Sequence, residues 1–269
     1  MKTSPCLHAT RVIFLGALTG CGRLSFDGQP IDDAGGGEVT TRYRDEVLAD
    51  APWTYVRLGE TTIGAGVADA TGAGNGMRFR FYGAGAVTPV PGALAGDPDG
   101  ALRFVGEGNE GDGSEAGLRF EVVPSIFTTA FSIEYLVKPN ALPISYNHMA
   151  FFCEEHLVNG FRTGITRDLE VHAWNDEANG SGSIEAGVVP LGTWSHVVIT
   201  KQSEDVRIYV DGVDVGNTTV GDYQPPGAAG ECGLGALHGL PANDDFDELA
   251  LYTTALSPAR VAAHAAAVR

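Results

Sequence analysis

From about residue 51 onward the hydrophobic positions fall in short runs, and where they alternate they do so with a period of two. Phe131, Ile133, Tyr135 and Val137 interleave with Ser132, Glu134, Leu136 and Lys138. Successive side chains on a strand point to opposite sides, so this predicts a strand with one apolar face. Pro139 ends it, because proline cannot donate to a ladder. Ala101-Leu102-Arg103-Phe104-Val105 follows the turn-forming Gly96-Asp97-Pro98-Asp99-Gly100. Trp194-Ser195-His196-Val197-Val198-Ile199-Thr200 is apolar on both faces, which predicts a central strand. A polar turn from Lys201 to Asp205 leads to a strand defined by Val206, Ile208 and Val210. Asp211-Gly212 then turns the chain back into Val213-Asp214-Val215, a hairpin signal because both central residues of a type I′ turn need positive φ. Phe246 to Tyr252 reads as a last strand. Ser257-Pro258 opens a short helix through His264 to about Val268, with serine as N-cap and proline at the first helical position.

No stretch alternates long helices with strands and no fixed-period repeat occurs, so the pattern predicts an all-β, two-sheet antiparallel sandwich with a short C-terminal helix. At 269 residues one domain suffices. A hydrophobic share of 43% supplies a core, and 37 glycines suit a fold with many turns. The net charge is −17; taking Lys2 and Arg11 of positions 1–20 from the 17 basic residues leaves 15 against 34 acidic, a balance of −19. Such a surface repels phosphate backbones, which argues against nucleic acid as a partner.

The first 50 residues follow another pattern. Val12-Ile13-Phe14-Leu15-Gly16-Ala17-Leu18, behind Lys2 and Arg11, is too short for a membrane span of about 20 residues and has the size of a secretory h-region. Leu18-Thr19-Gly20-Cys21 directly after it resembles the bacterial lipobox, which implies a signal peptide over 1–20 and acylation of Cys21. Gly22 follows rather than the aspartate that retains lipoproteins at the inner membrane, so the resemblance implies an outer-membrane anchor on the periplasmic or cell-surface face. Loss of the protein from the membrane fraction on Cys21→Ala is the expected outcome; unchanged association would remove the anchor. Asp32-Asp33-Ala34-Gly35-Gly36-Gly37-Glu38 is polar and glycine-rich, so residues 21–50 read as a flexible tether and 51–269 as the domain.

Three segments resemble the laminin-G-like (concanavalin A-like lectin/glucanase) superfamily. Phe131-Ser132-Ile133-Glu134-Tyr135-Leu136-Val137-Lys138-Pro139 resembles its F-T-I-E-x-W-V-K-P strand. Gly192-Thr193-Trp194-Ser195-His196-Val197-Val198, continuing to Ile208-Tyr209-Val210-Asp211-Gly212, resembles its G-x-W-x-H-V-A … L-Y-V-D-G hairpin. Phe246-Asp247-Glu248-Leu249-Ala250-Leu251-Tyr252 with Ala255-Leu256-Ser257 resembles its closing I-D-E-V-R-I-Y-x-x-x-L-S. Tyr55 to Glu60 and Asp69-Ala70-Thr71-Gly72 suit its opening. The resemblance implies a jelly roll. It departs at Leu136, where the family carries tryptophan, and Phe152 and Trp174 are the residues expected to fill that space.

The resemblance implies binding, with a glycan or polysaccharide as ligand and no catalysis; an envelope protein is the alternative partner, and a glycoside hydrolase the third reading. Hydrolases of this fold carry carboxylates on one strand face as Glu-x-Asp-x-Glu, and no such run occurs. Glu154 and Glu155 are adjacent and so face opposite ways. Ser195 and His196 are neighbours on a strand and cannot pair, which leaves His196 a packed or hydrogen-bonded position. Aromatic residues and small polar loops are the usual platforms of sugar sites, which makes Trp174, Asn175 and Asp176, with Tyr146 and His148, the candidate ligand contacts. Relatives hold a structural Ca²⁺ with carboxylates of the opening loop and closing strand, which implies Asp69 and Asp247, with Asp244 near. With Cys6 in the signal and Cys21 lipidated, Cys153 and Cys232 remain as a disulfide or as two buried thiols.

Overall fold

The computed structural model describes residues 37–64, 66–82, 85–106, 115–121, 126, 129–143, 147–155, 159–175, 182–220, 230–235 and 242–269. The strands of these residues form two antiparallel sheets. The first runs β13 (Val213–Thr219), β12 (Asp205–Val210), β11 (Ser195–Gln202), β6 (Ala130–Pro139), β15 (Asn243–Tyr252), β4 (Gly100–Val105) and β3 (Ala86–Pro91), with β1 (Thr54–Val56) also paired to β15. The second runs β10 (Ser183–Val188), β9 (Glu170–Asn175), β8 (Asn159–Thr166), β7 (Asn147–Glu155), β14 (Glu231–Gly235), β5 (Glu115–Phe120) and β2 (Met77–Tyr82). Sequence neighbours such as β5 and β6 lie in different sheets, as a jelly roll requires.

The period-two reading of β6 holds. Phe131, Ile133, Tyr135 and Val137 enter the core between the sheets, whereas Leu136 belongs to a second apolar cluster on the sheet's other face. Val197 and Ile199 of β11 point to the first cluster and Val198 to the second, which is why that strand is apolar on both faces. At the β12–β13 turn Asp211 and Gly212 have φ of 51° and 82°. A Cβ on Gly212 would also stand 2.7 Å from Ala265 Cβ, so the turn needs glycine twice over. Helix α2 (Pro258–Val268) starts where expected, its N-cap Ser257 accepting from Arg260 N at 3.3 Å.

Two expectations change. Residues 21–50 are not a tether throughout: helix α1 spans Gly37–Ala49, and Tyr43 and Val47 are fully buried in the second cluster with Val261 and Ala267 of α2. Their i, i+4 spacing makes an apolar stripe, too narrow to stand out among Arg42, Arg44, Asp45 and Glu46. The signal peptide, Cys21 and the rest of the tether lie outside the described residues. The space beside Leu136 is not filled by Phe152 and Trp174, which stand together on the far face of the second sheet. Leu136 instead shares its cluster with Leu94 and the partly buried Trp194.

Five elements meet at Glu134 of β6, which has no solvent exposure. Its carboxylate accepts from Tyr43 Oη of α1 (3.0 Å), His196 Nε2 of β11 (2.6 Å), Tyr252 Oη of β15 (2.6 Å) and His264 Nδ1 of α2 (3.0 Å). Burial would raise this carboxyl, but hydrogen bonds from His196 and His264 hold it well below the usual carboxylate range. His196 is therefore a hydrogen-bonded position, as expected. Cys153 and Cys232 are register partners on β7 and β14 and form a disulfide within the core.

Candidate functional site

The second sheet presents aromatic and charged side chains on the face turned away from the sandwich. Along β8, Phe161 and Ile165 enter the core, so Arg162 and Gly164 face outward. Along β9, Val171 and Ala173 enter it, and His172 and Trp174 face outward two residues apart. The β7 pairing slips between Met149 and Phe152, so Ala150 and Phe151 both turn inward and Phe152 joins Met149 outside.

The rings of His172 and Trp174 stack with centroids 4.2 Å apart and planes 18° from parallel. The indole passes over Gly164, where a Cβ would stand 3.5 Å from Trp174 Cη2 and 2.3 Å from the His148 carbonyl. The Arg162 guanidinium sits 5.9 Å from the indole centroid and is ion-paired to Glu154. The Arg119 guanidinium lies 4.4 Å above the Phe152 ring. Asn147 Nδ2 donates to His172 Nδ1 at 3.1 Å, which fixes the imidazole plane. Burial pushes the His172 pKa down to about 4, so the ring is neutral at physiological pH. Of this group Trp174 is partly open, whereas His172, Arg162, Arg119, Glu154, Asn147 and Phe152 are buried around it.

The structure separates the other expected contacts. His148 is not in a loop: it lies on β7, faces the core, and its Nδ1 donates to Asp244 Oδ1 at 3.2 Å, both groups being buried. Asn175 closes the β9–β10 hairpin by accepting from Gly182 N at 2.7 Å. Asp176 and Tyr146 lie outside the described residues. Arg119, Glu154 and Arg162 were not foreseen. Arg162 could have been found from its alternation with Phe161 and Ile165; the other two depend on which strands become neighbours.

The three expected metal ligands do not converge. Asp69 accepts from Tyr55 N (3.2 Å), Thr71 N (3.0 Å), Thr71 Oγ1 (2.8 Å) and Asn75 N (3.0 Å), so its carboxylate is spent on its own loop. These bonds hold its pKa down against partial burial. Asp244 faces the core with His148. Asp247 faces the opposite side of the sheet, opposite Leu136. Pairing of β15 slips between Asp247 and Ala250, with Glu248 at φ 55°, and this bulge puts Asp247 and Glu248 on one face. Glu248 is held by Tyr55 Oη and by Arg57, which also pairs with Asp97 and Asp99. Burial lifts the Glu248 pKa to about 7, and burial with the neighbouring Glu248 charge lifts Asp247 as well. Asp247 Oδ2 accepts from Ala93 N at 2.8 Å, while its buried Oδ1 has no partner among the described residues. No group of three or more His, Cys, Asp or Glu side chains among the described residues is arranged to hold a metal ion.

Comparison with known proteins agrees with this architecture. Structures with the same fold include the receptor-binding domain of botulinum neurotoxin type G (TM-score 0.55, 11% identity, 80% of this chain and 51% of that one). Another is the binding domain of botulinum neurotoxin DC in complex with rat synaptotagmin II (TM-score 0.59, 12% identity, 82% and 52%). The chain spans about half the length of these neighbours. No curated protein matches the sequence. The family profile described as the Concanavalin A-like lectin/glucanases superfamily matches residues 112–262, more than half of the chain, and includes all three segments that carry the resemblance. The chain belongs to the Concanavalin A-like lectin/glucanases superfamily.

Proposed function

We propose that this chain is a non-catalytic, lipid-anchored binding module of the cell envelope that recognises a glycan or polysaccharide on the outward face of its second sheet. The partly open indole of Trp174, stacked on a buried His172, carries the reading. Sugar C–H faces pack on aromatic rings, and an indole offers a large apolar face with a polar edge. His172, buried beneath its stack with Trp174, backs the indole, which is the group left partly open for a sugar face. Glu154 is engaged by Arg162, an arrangement that suits hydrogen bonding better than proton transfer. Asp247 Oδ1 and Asp244 Oδ2 are the buried oxygens of the expected calcium contacts that have no partner among the described residues, and Ca²⁺ held at Asp247 would supply positive charge where Asp247 and Glu248 crowd.

A protein partner is the second reading. Val188 (58% exposed) and Val213 (62%) sit on β10 and β13, the end strands of the two sheets on one side of the sandwich, with Leu191 (48%) in the loop after β10. Exposed apolar side chains grouped on a surface mark interaction sites.

A glycan screen of the chain from Gly22, run in calcium and again in chelator, separates the readings. Binding to a related set of glycans is expected, weakened at least tenfold by Trp174→Ala, which is partly open and whose loss leaves the melting temperature nearly unchanged. Calcium is expected to raise the melting temperature of the parent protein and not that of Asp247→Asn. Silence from folded protein in both conditions would turn the argument to the valine edge, and an unmoved melting transition would remove calcium.

A further inference from the structure

One imidazole bridges α1 and the body. His264 is fully buried, and both its ring nitrogens face oxygen. Nδ1 lies 3.0 Å from each Glu134 carboxylate oxygen, and Nε2 lies 3.1 Å from the Glu46 carbonyl and 3.0 Å from Asp50 Oδ2. A neutral imidazole has a single N–H and cannot donate from both nitrogens; an imidazolium can. The acceptors at Nε2 both belong to the C-terminal part of α1 and its exit, while the acceptor at Nδ1 belongs to β6.

The other charged groups around the ring come from every element packed on it. Arg260 of α2 has its Nη2 3.4 Å from Nε2 and pairs with Glu46 and Asp50. His196 of β11 gives its Nε2 hydrogen to Glu134, and its Nδ1 is buried with no partner among the described residues. Tyr43 of α1 and Tyr252 of β15 give their hydroxyl hydrogens to the same carboxylate, and Tyr55 and Glu248 stand behind them. Three carboxylates, Glu134, Glu46 and Asp50, thus face two cations when His264 is charged and one when it is not.

We infer that helix α1 is a latch fastened by a protonated His264, closed while the ring is cationic and released when that proton is lost. Burial alone would lower the pKa of this ring, but the Glu134 hydrogen bond and charge, with Asp50, raise it above the ordinary value. A histidine raised on folding contributes stability that is complete below its unfolded pKa of about 6.5 and is lost as pH rises through the folded value. The latch therefore opens on the alkaline side. Its 13 residues span about 20 Å as a helix and up to about 45 Å extended. Opening would add to the reach of the sandwich from its anchor; this consequence alone rests on the proposed lipidation.

The test uses the soluble chain from Gly22, so its outcome does not depend on the anchor. Hydrogen exchange of α1 and of β6 and β11 is followed from pH 6 to 9.5, corrected for intrinsic rates, beside NMR titration of the His264 ring. The latch predicts a ring that titrates above 6.5. It also predicts α1 amides exchanging at least tenfold faster past that titration while β6 and β11 stay protected. In His264→Gln, α1 is expected to exchange fast at every pH. Should that variant fail to fold, Asp50→Asn, a partly exposed acceptor, is expected to move the loosening to lower pH. A ring titrating at or below 6.5, or α1 protection that follows the core strands or ignores pH, would overturn the latch.

Discussion

Glu134→Leu is expected to destabilise the domain by about 3–5 kcal/mol, the usual cost of removing one partner from a buried ionic pair. The carboxylate is fully buried and holds Tyr43, His196, Tyr252 and His264 at 2.6–3.0 Å. Leucine fills most of the volume but leaves four donors without an acceptor. Glu134→Gln keeps the shape and one acceptor oxygen and is expected to cost about 1–3 kcal/mol, the desolvation penalty of groups left unpaired. Urea titration at pH 7 checks the series through a lower midpoint at unchanged slope. Glu134 has a depressed pKa, so its contribution is present above the unfolded value near 4.3 and is lost as pH falls through the folded one. Glu134→Leu should therefore narrow its stability gap to the parent in strong acid. A leucine variant as stable as the parent at pH 7 would mean that the cluster holds nothing together.

The disulfide carries the second large effect. Cys153 and Cys232 are 79 residues apart, and closing a loop of that length removes about 4–5 kcal/mol of unfolded-chain entropy, of which about 2–5 kcal/mol is usually recovered. The bond joins β7 to β14 inside the core, and five-residue β14 links β7 to β5 in the middle of the second sheet. Its loss should thus loosen the floor of the proposed binding face before the first sheet. For a domain of this size, Cys153→Ala/Cys232→Ala is expected to melt roughly 5–15 °C lower, and reduction of the parent should give the same shift. Two free thiols on alkylation of the unreduced protein, or a melting point indifferent to reductant, would sink the prediction.

The candidate site was only partly legible in the sequence. Trp174 was found because a tryptophan beside small polar residues suits a sugar platform; its partner His172 was visible two positions earlier but carried no signal without strand assignment. His148 and Asn175 looked like loop contacts because nothing local shows that β7 begins at Asn147 or that Asn175 closes a hairpin. Asp69, Asp244 and Asp247 looked interchangeable as oxygen donors, yet they face a loop, the core and the outer side of the first sheet.

What one segment can settle was present in the chain from the start. The period of two placed Phe131, Ile133, Tyr135 and Val137 in the core, Asp211-Gly212 supplied the two positive φ angles of a hairpin, and Ser257-Pro258 began a helix. Each depends on residues within a turn or a strand of one another. The encounters at Glu134 span 62 to 130 residues, and no local preference records that α1, β11, β15 and α2 converge on one carboxylate. Bulges in β7 and β15 had the same effect on a smaller scale. One extra residue on a strand turns over the facing of all that follow it, which put Phe152 outside and set Asp247 beside Glu248. Facing and long-range pairing are properties of packed sheets, because they depend on which strand lies alongside and on where the ladder slips.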